Sequence, residues 1–286
     1  MITVVLMGGL GNQMFQYATA RALAYRNNTS VRLNLRSFYD IRHWRKYELW
    51  RFAIDYPAQL SMTQVLLRQV ASGLLKQKDL QDLRIFERQG LGFHPDVLGL
   101  SDGITLRGWF QSYRYFSDCD ELINREFDLD PFKDEAELET FRSEAQGCPL
   151  VAVHVRRGDY IGNSLFSLGD LDEYYSRAIE LVTSCVAKPK FVLFSDDPQW
   201  CEDWILAKRY RMLLPSTRVR RSSHFRDLAC MAYCDHNIIA NSTFSWWGAW
   251  LNKSPTKMVV MPARWLKPWT TNECGLDVPG WIQIDW

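Results

Sequence analysis

Short apolar runs alternate along this chain with stretches whose apolar residues recur every three or four positions. Ile2 to Met7 is rich in β-branched residues and reads as a strand. Gly8, Gly9 and Gly11 follow, allowing a backbone turn that side chains would obstruct, and Asn12 stands where a helix cap is expected. Met14, Ala18, Ala22 and Tyr25 then recur at helical spacing and predict one apolar face, after which Val31, Leu33 and Leu35 alternate as a second strand. This is the rhythm of a βαβ unit. The second half repeats it: Leu150 to Val155, Phe191 to Phe194, Asn237 to Ala240 and Met258 to Met261 read as strands, separated by helical stretches such as Tyr174 to Cys185 and Phe225 to Tyr233. Strands alternating with helices imply parallel sheets covered on both faces.

Between these halves the pattern is weaker. A helix is expected around Met62 to Lys76, and the aromatic stretch Trp109 to Phe116 is read as strand followed by loop. From Asp120 to Glu144 there are ten acids against three bases with Pro131 in the middle, the composition of a solvated helical connector. At 286 residues the chain has room for about two domains. The expected division is therefore residues 1–135 and residues 136–286, an α/β protein of two Rossmann-like domains facing a central cleft.

Composition narrows the class. Hydrophobic residues make up 47%, and 34 Lys+Arg against 33 Asp+Glu leave a net charge of +1, which excludes intrinsic disorder and a generally basic nucleic-acid binder. Seven cysteines, an odd number without a CxxC pair, argue against a disulfide framework or zinc knuckle and for buried free thiols. Five histidines show no HExxH spacing, so no metal is expected. No window approaches the roughly 18 apolar residues of a membrane span, and no basic segment precedes the first run as in a signal peptide. The cytoplasm is the expected location. Lys208 to Arg226, with seven bases and no acid, reads as a solvated face or a ligand rim.

Ligands of open parallel sheets bind beyond the carboxyl ends of the strands, and there this sequence is most specific. Gly9-Leu10-Gly11 begins a dinucleotide fingerprint, but Met14 stands at its third glycine and Arg36 where an acid should close the second strand. That argues against NAD, and no Gly-Lys-Ser/Thr supports a P-loop. A glycine loop leading into a helix N-terminus remains, open to an anion or to a merely tight turn. After the third strand come Arg156 and Arg157, whose planar guanidiniums suit phosphate oxygens and can neutralise a leaving diphosphate without a metal. A salt bridge from one of the two arginines to Asp159, with Arg157 the first candidate, is the plainer alternative, as is simple burial for His154. Strand alternation suggests that only one of the two arginines faces the ligand. Asp196 and Asp197 are compatible with Mg²⁺, with the N1 and N2 edge of guanine, or with capping a helix that begins at Pro198. Asn241, Ser242 and Thr243 form either helix caps or a second anion-binding surface. Trp246 and Trp250 share a helical face, commonly a core face, while Trp247 points elsewhere and is a candidate sugar wall.

Taken together, GGLGNQMFQYA at 8–18, HVRRGDY at 154–160, FSDD at 194–197 and NSTFSWWGAWL at 241–251 resemble the motifs of the α-1,2-fucosyltransferases, glycosyltransferase family eleven. The resemblance implies a two-domain fold of GT-B type that uses GDP-fucose as donor, needs no metal or other cofactor, and inverts the sugar to an α-1,2 product on galactose. By motif position it implies Arg156 at the β-phosphate as electrostatic catalyst, His154 and Asp197 near guanine, Gly9, Gly11 and Asn12 at the diphosphate, and Asn241, Ser242, Thr243, Ser245 and Trp246 closing around it. Arg157 and Asp196 join that donor set, and Asp159 is the candidate general base. Beginning directly at the first strand, the chain resembles bacterial members, which implies a lipid-linked or free oligosaccharide acceptor at the inner membrane face. Another GDP-sugar transferase, for example one using GDP-mannose, and a non-catalytic glycan- or nucleotide-binding module are the rival readings. Acceptor contacts are expected within residues 36–118, with His43, Trp44 and Trp109 as candidates by composition.

Overall fold

The computed structural model describes residues 1–38, 45–54, 84–88, 90–166, 171–215 and 224–285. His43, Trp44, the helix expected at 62–76 and the middle of the basic stretch at 216–223 lie outside them. Chain packing divides the protein into two units, Met1–Asp128 and Leu129–Trp286, a division seven residues ahead of the expected 135.

In the first unit β1 (Ile2–Val5), β2 (Val31–Asn34), β3 (Arg84–Glu87) and β4 (Ile104–Arg107) form a sheet of order β2-β1-β4-β3 whose neighbours all run parallel. Helix α1 (Leu10–Arg26) crosses from β1 to β2, so the opening is the expected βαβ unit. The strand ends at Val5 rather than Met7, because the chain already turns into the glycine loop. Met14, Ala18 and Ala22 are buried as expected, but Tyr25 is 61% exposed, and Gln13, Gln16 and Thr19 are buried with the apolar residues. The helix is covered on nearly all sides, which no single-face pattern describes. Trp109–Phe116 is not a strand. The strand precedes it as β4, and the aromatic stretch forms a loop with Phe110 at φ 51° and a short 3₁₀ turn, Tyr113–Tyr115, whose Arg114 N donates to Ser112 Oγ.

The acidic segment is helical but not a solvated connector. Its helices Asp120–Glu126 and Glu135–Ala145 bury Ile123, Leu138 and Phe141, and Glu126 is buried too, accepting Tyr17 Oη at 2.6 Å and Arg21 Nε at 2.8 Å.

The second unit contains β5 (Leu150–Val155), β6 (Lys190–Ser195), β7 (His236–Ile238), β8 (Val259–Pro262), β9 (Arg264–Leu266), β10 (Trp269–Thr270) and β11 (Ile282–Ile284). Five of these make a wholly parallel sheet, β11-β8-β7-β5-β6, and β9 with β10 form a separate antiparallel pair. Val151, Val153 and Val155 pack with Tyr174, Ala178, Ile179 and Val182 of the helix Leu171–Cys185 on one side of this sheet. All seven cysteines are free thiols, as expected, but only five are buried: Cys148 is half-buried and Cys185, on the last turn of its helix, is exposed. Among the described residues no helix is long and apolar enough to cross a membrane.

Candidate active site

The carboxyl end of β5 carries the densest set of charges. Arg156 donates from Nε and Nη2 to Asp159 Oδ1 at 3.0 and 2.6 Å, and its Nη1 lies 3.1 Å from Asp196 Oδ2. The one-turn 3₁₀ helix Gly158–Tyr160 is what brings Asp159 back beneath Arg156. The plainer alternative of an arginine–Asp159 salt bridge therefore holds, with Arg156 rather than Arg157 as the partner. Arg157 instead stacks over Trp200, 3.9 Å from the ring centre, and donates from Nε to Asp197 Oδ2 at 3.1 Å. Both guanidiniums are thus held by carboxylates at the end of β6, and both side chains remain about one-fifth exposed, at 18% and 20%.

Asp196 and Asp197 divide their work. Asp196 Oδ1 accepts Arg157 N at 2.9 Å, tying the loop after β5 to the end of β6. Its Oδ2 lies so near Gly158 that a Cβ there would collide with it. Asp197 caps the helix Pro198–Asp203, its Oδ1 accepting Trp200 N at 3.2 Å, so the capping alternative holds alongside the pairing with Arg157.

His154 is 3% exposed on β5, facing Phe244 with ring centres 5.6 Å apart. Burial first, and the charge of Arg156 second, push its pKa down to about 3, so the imidazole is neutral. Its Nδ1 has no hydrogen-bond partner, an uncommon condition for a buried polar atom. The backbone carbonyl of His154 is occupied by Tyr175 Oη at 2.7 Å, which leaves the ring as the group still to be satisfied.

The segment 241–246 is placed largely as scaffold. Asn241 Nδ2 donates to the carbonyls of Phe166 and Trp265 at 3.2 and 3.0 Å, and its own carbonyl accepts Tyr160 Oη at 2.9 Å, linking it to the Arg156 turn. Ser242 occupies the cap position of the helix Thr243–Trp250 without a side-chain cap bond, and Thr243 is half-buried. Ser245 is fully buried with Oγ 3.2 Å from the Ser242 carbonyl. Trp246 is a core residue, stacked on Trp250 at 5.2 Å, with Nε1 donating to the Leu276 carbonyl at 2.9 Å. Trp247 is equally buried and walls no open site, because none of its side chain reaches the surface.

The glycine loop belongs to the first unit. Gly9, not Asn12, is the cap position, its carbonyl accepting Asn12 N and Gln13 N at 3.0 and 3.1 Å, so α1 starts ahead of the expected residue. Gly8 has φ +77° and no room for a Cβ beside Asn12, which makes it the conformationally obligatory glycine. Gly9 lies under the Arg45 guanidinium, 3.2 Å from where a Cβ would sit, and Gly11 is buried in the first helical turn. Asn12 Oδ1 accepts Gln111 Nε2 at 2.8 Å.

Two glutamines of α1 fix this loop, and neither stood out in the sequence. Gln13 Nε2 donates to the carbonyls of Gly8 and Lys46 at 3.0 and 2.8 Å while its Oε1 accepts Glu48 N at 3.0 Å. Gln16 Oε1 accepts Met7 N at 2.9 Å and its Nε2 donates to the Gly108 carbonyl at 3.1 Å. Buried polar residues inside an otherwise apolar helix were the available signal. Arg45 had none, since it follows a segment without periodicity.

Two guanidiniums and three carboxylates gathered at the carboxyl ends of parallel strands define an α/β protein with a charged cluster where ligands of such sheets bind. Residues 1–285 match glycosyl transferase family 11. Relatives include the O-antigen biosynthesis glycosyltransferase WbnK of Escherichia coli, 30% identical over 98% of this chain and 99% of the relative, and the alpha-1,2-colitosyltransferase of Escherichia coli, 27% identical over 98% and 97%. Galactoside alpha-(1,2)-fucosyltransferase 1 of Saimiri sciureus is 28% identical over 87% of this chain, which spans 64% of that relative's length. The chain belongs to glycosyl transferase family 11, and it is a glycosyltransferase.

Proposed function

We propose that this glycosyltransferase moves L-fucose from GDP-fucose to the 2-hydroxyl of a terminal galactose, with inversion and without a metal. The observation that carries the reading is the Arg156 fork, held at a strand end by Asp159 and Asp196 with its surface still accessible. A guanidinium fixed there meets negative charge as it grows on the β-phosphate oxygens, the type of stabilisation that preorganised donors provide at an oxyanion. The C1–O bond to GDP breaks as the acceptor oxygen attacks C1 from the opposite face, and the acceptor's proton must leave. Asp159, part-exposed beside Arg156, is the proton acceptor in this proposal as well as the residue that positions Arg156.

The neutral ring of His154, with Nδ1 unmet, suits an N–H of the guanine base, and Asp197 lies on the same strand-end surface through Arg157. Asp196 and Asp197 are each already engaged by a guanidinium, which favours charge neutralisation by arginine over coordination of Mg²⁺. The glycine loop, Asn12 and the helix start at Asn241–Thr243 remain the further donor contacts we propose. The enzyme would act in the cytoplasm on an oligosaccharide, free or lipid-linked at the inner membrane face.

The relative named as an alpha-1,2-colitosyltransferase favours one alternative, transfer of a different sugar by the same scaffold. The test is GDP release and product linkage with GDP-fucose and lactose in excess EDTA, with donor alone and GDP-mannose as controls. Acceptor-dependent release giving α-1,2-fucosyl lactose supports the whole reading. Release only with another GDP-sugar moves the enzyme to the alternative, and absence of any GDP binding overturns both.

A further inference from the structure

The first unit has a cavity of about 190 Å³ whose lining includes Val5, Asn34, Arg36, Ser37, Thr105 and Arg107. The strand register explains why these residues meet. Val5 pairs with Asn34, Thr3 with Thr105, and Thr105 with Ile85, so in a parallel sheet all of them point to one face, opposite Ile2, Val4 and Leu6. Arg36 and Arg107 follow at the carboxyl ends of β2 and β4, the end where ligands of parallel sheets bind.

Two features point to an anion. Arg36 and Arg107 are the charged groups among the described lining residues, and no carboxylate accompanies them there. Glu87, outside the lining, lies 3.8 Å from Arg107 Nη1, with both side chains about half exposed, a pairing worth little in water. Independently, Thr105 is 3% exposed and its Oγ1 has no hydrogen-bond partner. Thr105 lines a cavity rimmed by two guanidiniums, and its buried hydroxyl, unmet within the protein, is a donor left for an acceptor oxygen there. Asn34 Oδ1 accepts Arg36 N at 3.1 Å, which fixes the strand end from which Arg36 projects.

We propose that this cavity binds a phosphate or carboxylate group carried by the acceptor glycan, with Thr105 Oγ1 and the guanidiniums of Arg36 and Arg107 as its donors. Anion binding stands on the cavity alone; assigning the anion to the acceptor rests on the transferase reading above. A transferase has two substrates, and the charges at the end of β5 are committed to the donor in that reading, so the two guanidiniums at this cavity are positive charges that the donor leaves unused.

Two measurements separate these layers. Titrating methyl-labelled protein with inorganic phosphate and with glucuronate should shift the Thr105 methyl resonance saturably, and in parallel calorimetric titrations, which do not depend on that methyl, Thr105→Val or the double variant R36Q/R107Q should abolish or weaken binding at least tenfold. A resonance that stays fixed, or a shift that persists in R36Q/R107Q, overturns the cavity as an anion site. Thr105→Val also guards against misfolding: it is nearly isosteric and removes an unmet polar atom, so a purely structural threonine would give an equally or more stable protein with unchanged titration. In the second measurement, lactose is compared with galactosides bearing a phosphate or a carboxylate. The charged acceptors should have KM at least tenfold lower, and R36Q/R107Q should collapse that ratio towards one. Equal KM values in the unaltered enzyme overturn the acceptor assignment. If no galactoside releases GDP, the transferase reading fails, while the titration still decides the anion site.

Discussion

A single carboxylate oxygen, Asp159 Oδ1, accepts two donors of Arg156, at 3.0 Å from Nε and 2.6 Å from Nη2. The guanidinium is therefore held in one orientation, and in the proposed mechanism it meets the donor in that orientation with Asp159 beside it. Replacing Arg156 by Ala should lower kcat on the order of a thousandfold, the effect of losing a preorganised donor to a growing oxyanion. Steady-state kinetics with GDP-fucose check this, and near-normal turnover would remove Arg156 from the chemistry.

Asp159→Asn keeps an acceptor oxygen for Arg156 while discarding basicity. A fall in kcat at nearly constant donor KM is expected if Asp159 takes the acceptor proton. A variant that instead weakens GDP-fucose binding and leaves kcat intact would reduce Asp159 to a positioning residue.

Gly158 and Gly9 should respond unequally to alanine. At Gly158 the new methyl runs into Asp196 Oδ2, the oxygen facing Arg156 Nη1, so G158A should disorder the whole arginine cluster and raise donor KM at least tenfold. At Gly9 the obstacle is the flexible end of Arg45, and G9A should be milder. Equal effects would contradict the geometry.

Gln16→Leu should destabilise the fold by about 1–3 kcal/mol, because Met7 N and the Gly108 carbonyl both lose a buried partner. Chemical denaturation measures it. An unchanged midpoint would mean that the glycine loop is held by other contacts.

Asp227, on the helix His224–Ala232, has its pKa pushed up to about 6, chiefly by burial, with Glu137 adding to the rise and His224 and Arg226 opposing it. A raised carboxylate favours the fold below its ordinary pKa near 4, and that contribution is lost as pH climbs through about 6. His154 works in the other direction, its depressed pKa eroding stability as pH falls below about 6.5. Comparing D227N with the unaltered protein cancels the histidine. The difference in Tm should favour D227N at pH 8 and vanish by pH 4; a constant difference would refute the assignment.

The sequence was most legible where a strand is buried on both faces. Leu150 to Val155 coincides with β5, since such a strand must be continuously apolar. β3 was not legible: it is an edge strand with exposed residues and no apolar run to announce it. The arginine–aspartate cluster could be located from its strand ends, yet the exchange of partners could not, because adjacency in sequence says nothing about which side the 3₁₀ turn brings Asp159 to. Gln13 and Gln16 escaped for a related reason. Amide side chains that replace backbone hydrogen bonds look, in sequence, like ordinary surface positions on a helix. The tryptophans misled in the opposite way, since Trp247 suggested a sugar platform and is enclosed instead.

The edge of the second sheet is supplied by Ile282–Ile284, which pairs with β8 from near the far end of the sequence; the Ile284 carbonyl accepts Ala263 N at 2.8 Å and the Asp285 carbonyl accepts Arg177 Nη1 at 2.8 Å. During synthesis the first unit has the four described strands of its sheet once residue 107 has left the ribosome. In the unit carrying Arg156 the sheet lacks its edge strand until residue 284 has emerged, and the longest wait falls on β5 itself, whose side towards β7 stays unpaired from residue 155 until residues 236–238 arrive.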